Sequence, residues 1–345
     1  MKSYGIRPSL ETYNLVIRGF SRIGQFDDAL VYIDEMKNAG LKPNTETYDG
    51  LIQAYGKYKM YDEMGRCLRE MVSSGCLPDH VTYNLLIREF AKAGLINKME
   101  RTYQALLSNR MGLQSSTSIA MLETYAKFGI LDKMEKVFRR VLNSKVCLQE
   151  DMIRKLAGVY IENLMFSRLD DLGLDLCSKT GSTDLVWSLR LLYHACTLSK
   201  KGMYSIVQEM ESNQVPWNVT IANIMALAYL KMKDFMELEV LLSELPSRYV
   251  KPDIITVGVL CDACMSGFRG IPVKRIWTRT GFFDDTVEMN SDPLVLIAFR
   301  KGKFIRDFEA MYSLVEAKTK KKGSWTYCHL IDSVETHTKT RLMGS

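Results

Sequence analysis

The stretch Pro78-Asp79-His80-Val81-Thr82-Tyr83-Asn84-Leu85-Leu86-Ile87 decides how this chain is read, because it recurs. Pro43-Asn44-Thr45-Glu46-Thr47-Tyr48-Asp49-Gly50-Leu51-Ile52 stands 35 residues before it, and Pro8-Ser9-Leu10-Glu11-Thr12-Tyr13-Asn14-Leu15-Val16-Ile17 stands 35 before that. A fixed period of this length marks a repeat array, in which no unit closes a core alone and stacked neighbours bury a continuous one.

Within each period the apolar spacing is helical. Tyr13, Val16, Ile17 and Phe20 fall at i, i+3, i+4 and i+7, as do Tyr48, Leu51, Ile52 and Tyr55, and Tyr83, Leu86, Ile87 and Phe90. That spacing makes one apolar helix face. A second helix is expected in each period, with ladders Ala29, Ile33, Met36 and Met64, Leu68, Met71. Gly40 and Gly75 stop those helices, and Pro43 and Pro78 keep the linker from continuing them. Asn44 and Asp79 then stand where N-caps belong. Each period therefore reads helix, turn, helix, turn.

Continued along the chain, the period places units at 10–44, 45–79, 80–114, 115–149, 150–184, 185–218, 219–253, 254–288 and 289–322. A partial repeat follows at 323–345. The unit at 254–288 is the most altered, with Pro272 suited to the first turn of its second helix, and Ala298-Phe299-Arg300-Lys301-Gly302 restores the pattern in the unit at 289–322. Residues 1–9 read as the tail of a preceding unit, since Met1-Lys2-Ser3-Tyr4-Gly5-Ile6-Arg7-Pro8 matches Met36-Lys37-Asn38-Ala39-Gly40-Leu41-Lys42-Pro43 in character and spacing. The chain is thus expected to begin inside an array, with a targeting segment and earlier repeats ahead of it.

The 345 residues are 47% hydrophobic and 25% charged, as in a folded protein, and no apolar run approaches the roughly 18 residues of a membrane span. Eight scattered cysteines suit a reducing compartment. The single close pair, Cys261-x-x-Cys264, reads as buried small hydrophobes on the packing side of a helix rather than half of a zinc site. The four histidines, His80, His194, His329 and His337, lack metal-ligand spacing, and no phosphate loop or nucleophile elbow occurs. The reading is therefore of no catalytic residues, no metal and no cofactor.

Two polar columns run through the repeats. Asn14, Asp49, Asn84 and Asn223 recur early in the first helices. Asn and Asp sit poorly inside helices, because they compete for backbone groups, so recurrence at one register points to a role on an exposed inner face. Their short arms carry the donors and acceptors that pair with base edges. Asn44, Asp79 and Asp253 close their units near the same face, where capping and base contact can coexist. Eight residues after the first column come Arg22, Lys57, Lys92, Lys127, Lys231 and Lys301. Stacked, they form a basic stripe suited to a phosphate backbone; the alternative is neutralisation of helix C-termini, worth about 0.3–1 kcal/mol each. Net charge is only +6, so binding would be groove-like rather than a general cationic coat. From Met289 onward the chain carries ten Lys or Arg against six Asp or Glu, densest at Lys318-Thr319-Lys320-Lys321-Lys322.

Thr-Tyr-Asn at the head of the first helix, Lys-x-Gly near its end (Lys92-Ala93-Gly94) and Pro-Asp at the close resemble a plant P-class pentatricopeptide repeat protein. The resemblance implies an all-α, right-handed α-solenoid that holds single-stranded organellar RNA, reading one base per repeat with two or three side chains. It implies base-facing roles for Asn14 with Asn44, Asp49 with Asp79, Asn84 with Gln114, and Asn223 with Asp253, and a preference for uracil at the last pair. It further implies a chloroplast or mitochondrial protein acting without catalysis in intron splicing, transcript processing or stabilisation. Splicing or processing proteins, or an RNA-dependent homodimer, would be its companions. A protein-binding scaffold is the rival reading, which exposed Trp187 or Trp217 would favour.

Overall fold

The computed structural model of the protein describes residues 7–144, 148–181, 183–268, 274–275, 278, 281, 283–303, 305–306 and 326–332. Among the described residues it is all-helical, with no strand beyond an isolated bridge between Thr286 and Thr326. The chain falls into two compact units, residues 1–146 and 147–345.

Unit 1 holds α1 (Leu10–Arg22), α2 (Phe26–Asn38), α3 (Thr45–Lys57), α4 (Tyr61–Ser73), α5 (His80–Lys92), α6 (Ile96–Ser108), α7 (Ser115–Lys127) and α8 (Leu131–Leu142). Local chemistry sets both ends of these helices. Ser9, Asn44 and Asp79 each accept from a backbone N–H of the first turn, and Asn44 with Thr47 forms a reciprocal capping box. Gly40 and Gly75 follow α2 and α4 at φ +77° and +76°, the left-handed geometry that ends a helix without a Cβ penalty. Each first helix packs on its own second helix, and α1, α3 and α5 each pack on the next first helix as well. The shared core contains Tyr48, Ile52, Leu86, Ile87, Met121 and Leu122, with Ala29, Met36, Met64 and Met71 from the second helices. Leu68 stays half-buried and Cys67 takes the buried place beside it.

Unit 2 holds α9 (Glu150–Glu162), α10 (Ser167–Thr180), α11 (Asp184–Cys196), α12 (Lys200–Ser212), α13 (Val219–Met232), α14 (Phe235–Glu244), α15 (Ile254–Met265) and α16 (Leu294–Phe299). The first helices α13 and α15 are apolar nearly all round, with Ile221, Ile224, Val257 and Leu260 fully buried, whereas α9 keeps a charged face with Glu150, Asp151, Arg154 and Lys155. Part of the cover over α9, α11 and α13 comes from α16. Where the sequence predicts another stacked pair at 289–322, residues 289–303 instead run back along unit 2, and α16 packs against α9, α11 and α13. Arg300, at φ +63°, ends the short helix. Pro272, the basic run at 318–322, residues 1–6 and most of the partial repeat at 323–345 lie outside the described residues.

Candidate functional site

The first polar column is less exposed than its composition predicts. Asn14 is buried: its Nδ2 donates to Asn44 Oδ1 at 3.3 Å and Glu46 Oε2 at 3.2 Å, and its Oδ1 accepts from Thr47 Oγ1 at 2.6 Å. Asn84 is fully buried, donating to the carbonyls of His80 and Gly112 at 2.6 and 2.9 Å and accepting from Gln114 N at 2.7 Å. Asn14 ties its helix to the first turn of the next repeat, and Asn84 ties its helix to the linker residues Gly112 and Gln114 that lead into α7. Buried polar groups need such partners. Asn44 and Asp79 are half-buried N-caps of α3 and α5.

Asp49 differs from its neighbours in the column. It is half-buried, and its Oδ1 lies out of solvent contact with no hydrogen-bond partner. Burial pushes its carboxyl up to about 6; the charge of Asp79 adds to this, and a hydrogen bond from Thr82 opposes it. Asp49 and Asp79 line a cavity of about 490 Å³ on α1, α3 and α5, together with Arg18, Arg22, Gln53, Arg88 and Gln114. Arg18 pairs with Glu46 across the repeat boundary. Three guanidiniums beside the three carboxylates of Glu46, Asp49 and Asp79 make a groove with both anion-pairing and base-pairing groups.

Arg18, Gln53 and Arg88 do not belong to either column identified above. Their signal is the helical i+4 offset from Asn14, Asp49 and Asn84, which puts them one turn further along the same face.

The basic column is exposed throughout. Arg22, Lys57, Lys92 and Lys127 are the exposed last residues of α1, α3, α5 and α7, and Lys231 is exposed in the last turn of α13. Lys301 is exposed but follows α16 rather than ending a long helix. Lys57 Nζ donates to the terminal carbonyl of Arg22 at 3.2 Å, so helix-end neutralisation operates across repeats. Lys92 pairs with Glu89 at 2.9 Å. Exposed pairs of this kind are weak and leave the cation available to a stronger anion.

In unit 2 the equivalent positions face the returning segment. Asn223 and Asp253 are fully buried; Asn223 Nδ2 donates to Asp253 Oδ1 and to Ser291 Oγ, both at 2.8 Å. Neither presents a polar group to solvent. Cys261 is buried, but Cys264 is exposed, which corrects the expectation that both thiols pack inward: three residues along a helix rotate the side chain toward the edge of the packed face. Trp187 is buried and Trp217 is half-buried under Arg248, whose guanidinium carbon lies 4.1 Å from the ring centroid, so neither offers an exposed aromatic anchor. Among the described residues no group of three or more His, Cys, Asp or Glu could hold a metal, and no helix is long and apolar enough to cross a membrane.

Comparison with known proteins matches the PPR repeat family to residues 8–57 and 47–92, and the PPR repeat to residues 81–111. The Arabidopsis thaliana pentatricopeptide repeat-containing protein At4g14190, chloroplastic, is 50% identical over 186 residues, 53% of this chain and 37% of that protein. The chain therefore spans little more than a third of this relative's length. Among solved structures, the maize pentatricopeptide repeat protein PPR10 has a TM-score of 0.43 at 20% identity, over 99% of this chain and 54% of that one. Yeast Rmd9p in complex with a 16-nucleotide target RNA has a TM-score of 0.43 at 13% identity, over 91% of this chain and 66% of that one.

Proposed function

We propose that this chain, a pentatricopeptide repeat protein by the matched residues 8–111, binds single-stranded RNA along the first-helix face of unit 1. The observation that carries the reading is the groove on α1, α3 and α5, where Asp49 and Asp79 share one cavity with Arg18, Arg22 and Arg88. In this reading Asp49, Asp79 and Asn44 meet the base edges. Asn14 and Asn84 act indirectly, by fixing the register of the repeat that follows. Arg22, Lys57, Lys92 and Lys127 stand at one register per repeat, as a backbone with one charge per nucleotide requires.

The mechanism is sequestration. A bound RNA segment is shielded from nucleases or held out of competing base pairs, and no bond is made or broken by the protein. With the P-class pattern and a chloroplastic relative, the reading extends to organellar RNA metabolism in the chloroplast, in splicing, processing or stabilisation of a transcript. RNA co-immunoprecipitation with sequencing from isolated chloroplasts and mitochondria tests it. Enrichment of one transcript region in the chloroplast sample is the expected result. Recovery of proteins with no enriched RNA would replace this reading with the scaffold.

A further inference from the structure

Residues 290–299 lie against the recognition positions of unit 2. Asp253 Oδ2 accepts from the backbone N–H of Asn290 at 3.2 Å, from that of Ser291 at 3.0 Å and from Ser291 Oγ at 2.8 Å. Asn223 Nδ2 donates to the same hydroxyl. Asp292 N donates to Thr220 Oγ1 at 2.9 Å, and its carboxylate accepts from Arg154 Nε at 2.7 Å. Arg154 and Asn223 hold the register of Asn14 and Asn84, the fifth residue of their units. After the polar turn, Leu294, Val295 and Phe299 are buried, Lys231 Nζ stands 4.9 Å from the Phe299 ring centroid, and Ile297 Cδ1 lies 3.7 Å from where a Cβ on Gly158 would be.

Every group there that would meet a base already has a partner from the chain itself. The Asn223–Asp253 pair offers one amide donor and a carboxylate oxygen that accepts three bonds, and the Asn290-Ser291 turn satisfies both inside a closed, buried network. A nucleotide would have to break those bonds and expose three apolar side chains.

We propose that the first-helix face of α9, α11 and α13 is a peptide site, filled in cis by residues 290–299, and that RNA contacts are confined to unit 1. This rests on the RNA-binding reading above. The Ser-Asp-Pro turn is the polar half of the ligand and the face of α16 its apolar half.

The test uses the whole chain and a random-sequence single-stranded RNA carrying 4-thiouridine. Photo-crosslinked peptides should come from α1, α3, α5 and α7, with none from α9, α11 or α13. In parallel, Arg18→Ala with Arg22→Ala and Arg88→Ala should weaken RNA binding about tenfold or more, whereas Asn223→Ala and Ser291→Ala should leave it within about twofold. The latter two variants should instead speed amide exchange in residues 290–299. Crosslinks on α9, α11 or α13, or a loss of RNA affinity in Asn223→Ala equal to that of the arginine variant, would overturn the proposal while leaving the RNA-binding reading in place. A wild-type chain that neither binds nor crosslinks to the RNA would remove both.

Discussion

Arg154 Nε donates to Asp292 Oδ2 at 2.7 Å, joining residues 138 apart in sequence. The pair fixes the returning segment to α9 from one side, and the Asn223–Ser291 bond fixes it to α13 from the other. The Asp292 side chain is only 10% exposed, while Arg154 is 30% exposed and also pairs with Glu150 at 3.0 Å. Removing the carboxylate therefore leaves the guanidinium partly compensated. Asp292→Ala should lower stability by about 1–2 kcal/mol, between the exposed and buried limits for such pairs, read from a shifted urea midpoint. A midpoint equal to wild type would mean that the segment is not held by this contact.

Asn84 offers a sharper case, because it is fully buried and its side chain bonds only backbone groups, one in its own helix and two in the linker after α6. Asn84→Ala strands the Gln114 N–H and the Gly112 carbonyl at once. The cost should be about 2–3 kcal/mol, against less than about 0.5 kcal/mol for the exposed Lys92→Ala. Urea unfolding of both variants decides it: equal costs would place Asn84 on a free surface after all.

The Asp49 carboxyl is held up at about 6 by burial first, with Asp79 adding to the shift. A raised folded-state value means that the folded chain binds more protons than the unfolded one between about pH 4 and pH 6, so this group's contribution falls as pH rises through that window. Asp49→Asn removes the buried charge. Its melting temperature should exceed wild type above pH 6.5 and the gain should vanish near pH 4. A gain that persists unchanged at pH 4 would show that the charge of Asp49 is not the cause.

Gly302 lies where the chain crosses α15. A Cβ built there would stand 2.0 Å from Asp262 Oδ2, far inside contact distance. Gly302→Ala should cost less than about 1 kcal/mol, because the atom it meets is the end of the Asp262 side chain and can rotate away, and Gly302→Ala combined with Asp262→Ala should remove what cost remains. Thermal unfolding of the single and double variants measures the coupling; purely additive costs would count against close approach at this point.

The repeats were legible because their signals are local. Tyr48, Ile52, Leu86 and Ile87 declare a buried stripe by spacing alone, and Asn44, Asp79 and Asp253 declare helix starts by residue type. The burial of Asn14 and Asn223 was harder to read. A polar residue early in a helix looks solvent-facing until its partner is known, and that partner sits 33 residues on: Thr47 for Asn14 and Thr256 for Asn223. The recurrence of Thr at that offset was the available signal. The course of residues 289–303 had no local signal, since Ser291 and Asp292 meet residues 68 and 138 positions away. Repeat periodicity predicts only contacts with the next unit.

The central claim is RNA held in the groove of unit 1, and its most direct measurement is fluorescence anisotropy of a labelled random-sequence single-stranded RNA. Wild type and the Arg18→Ala, Arg22→Ala, Arg88→Ala variant would be titrated between about 50 and 200 mM salt. The account predicts wild-type binding that weakens with salt, and a variant whose salt slope is shallower by about 0.7 for each arginine that meets a phosphate. Identical affinities and slopes for the two chains, or no binding by wild type at the lowest salt, would contradict it.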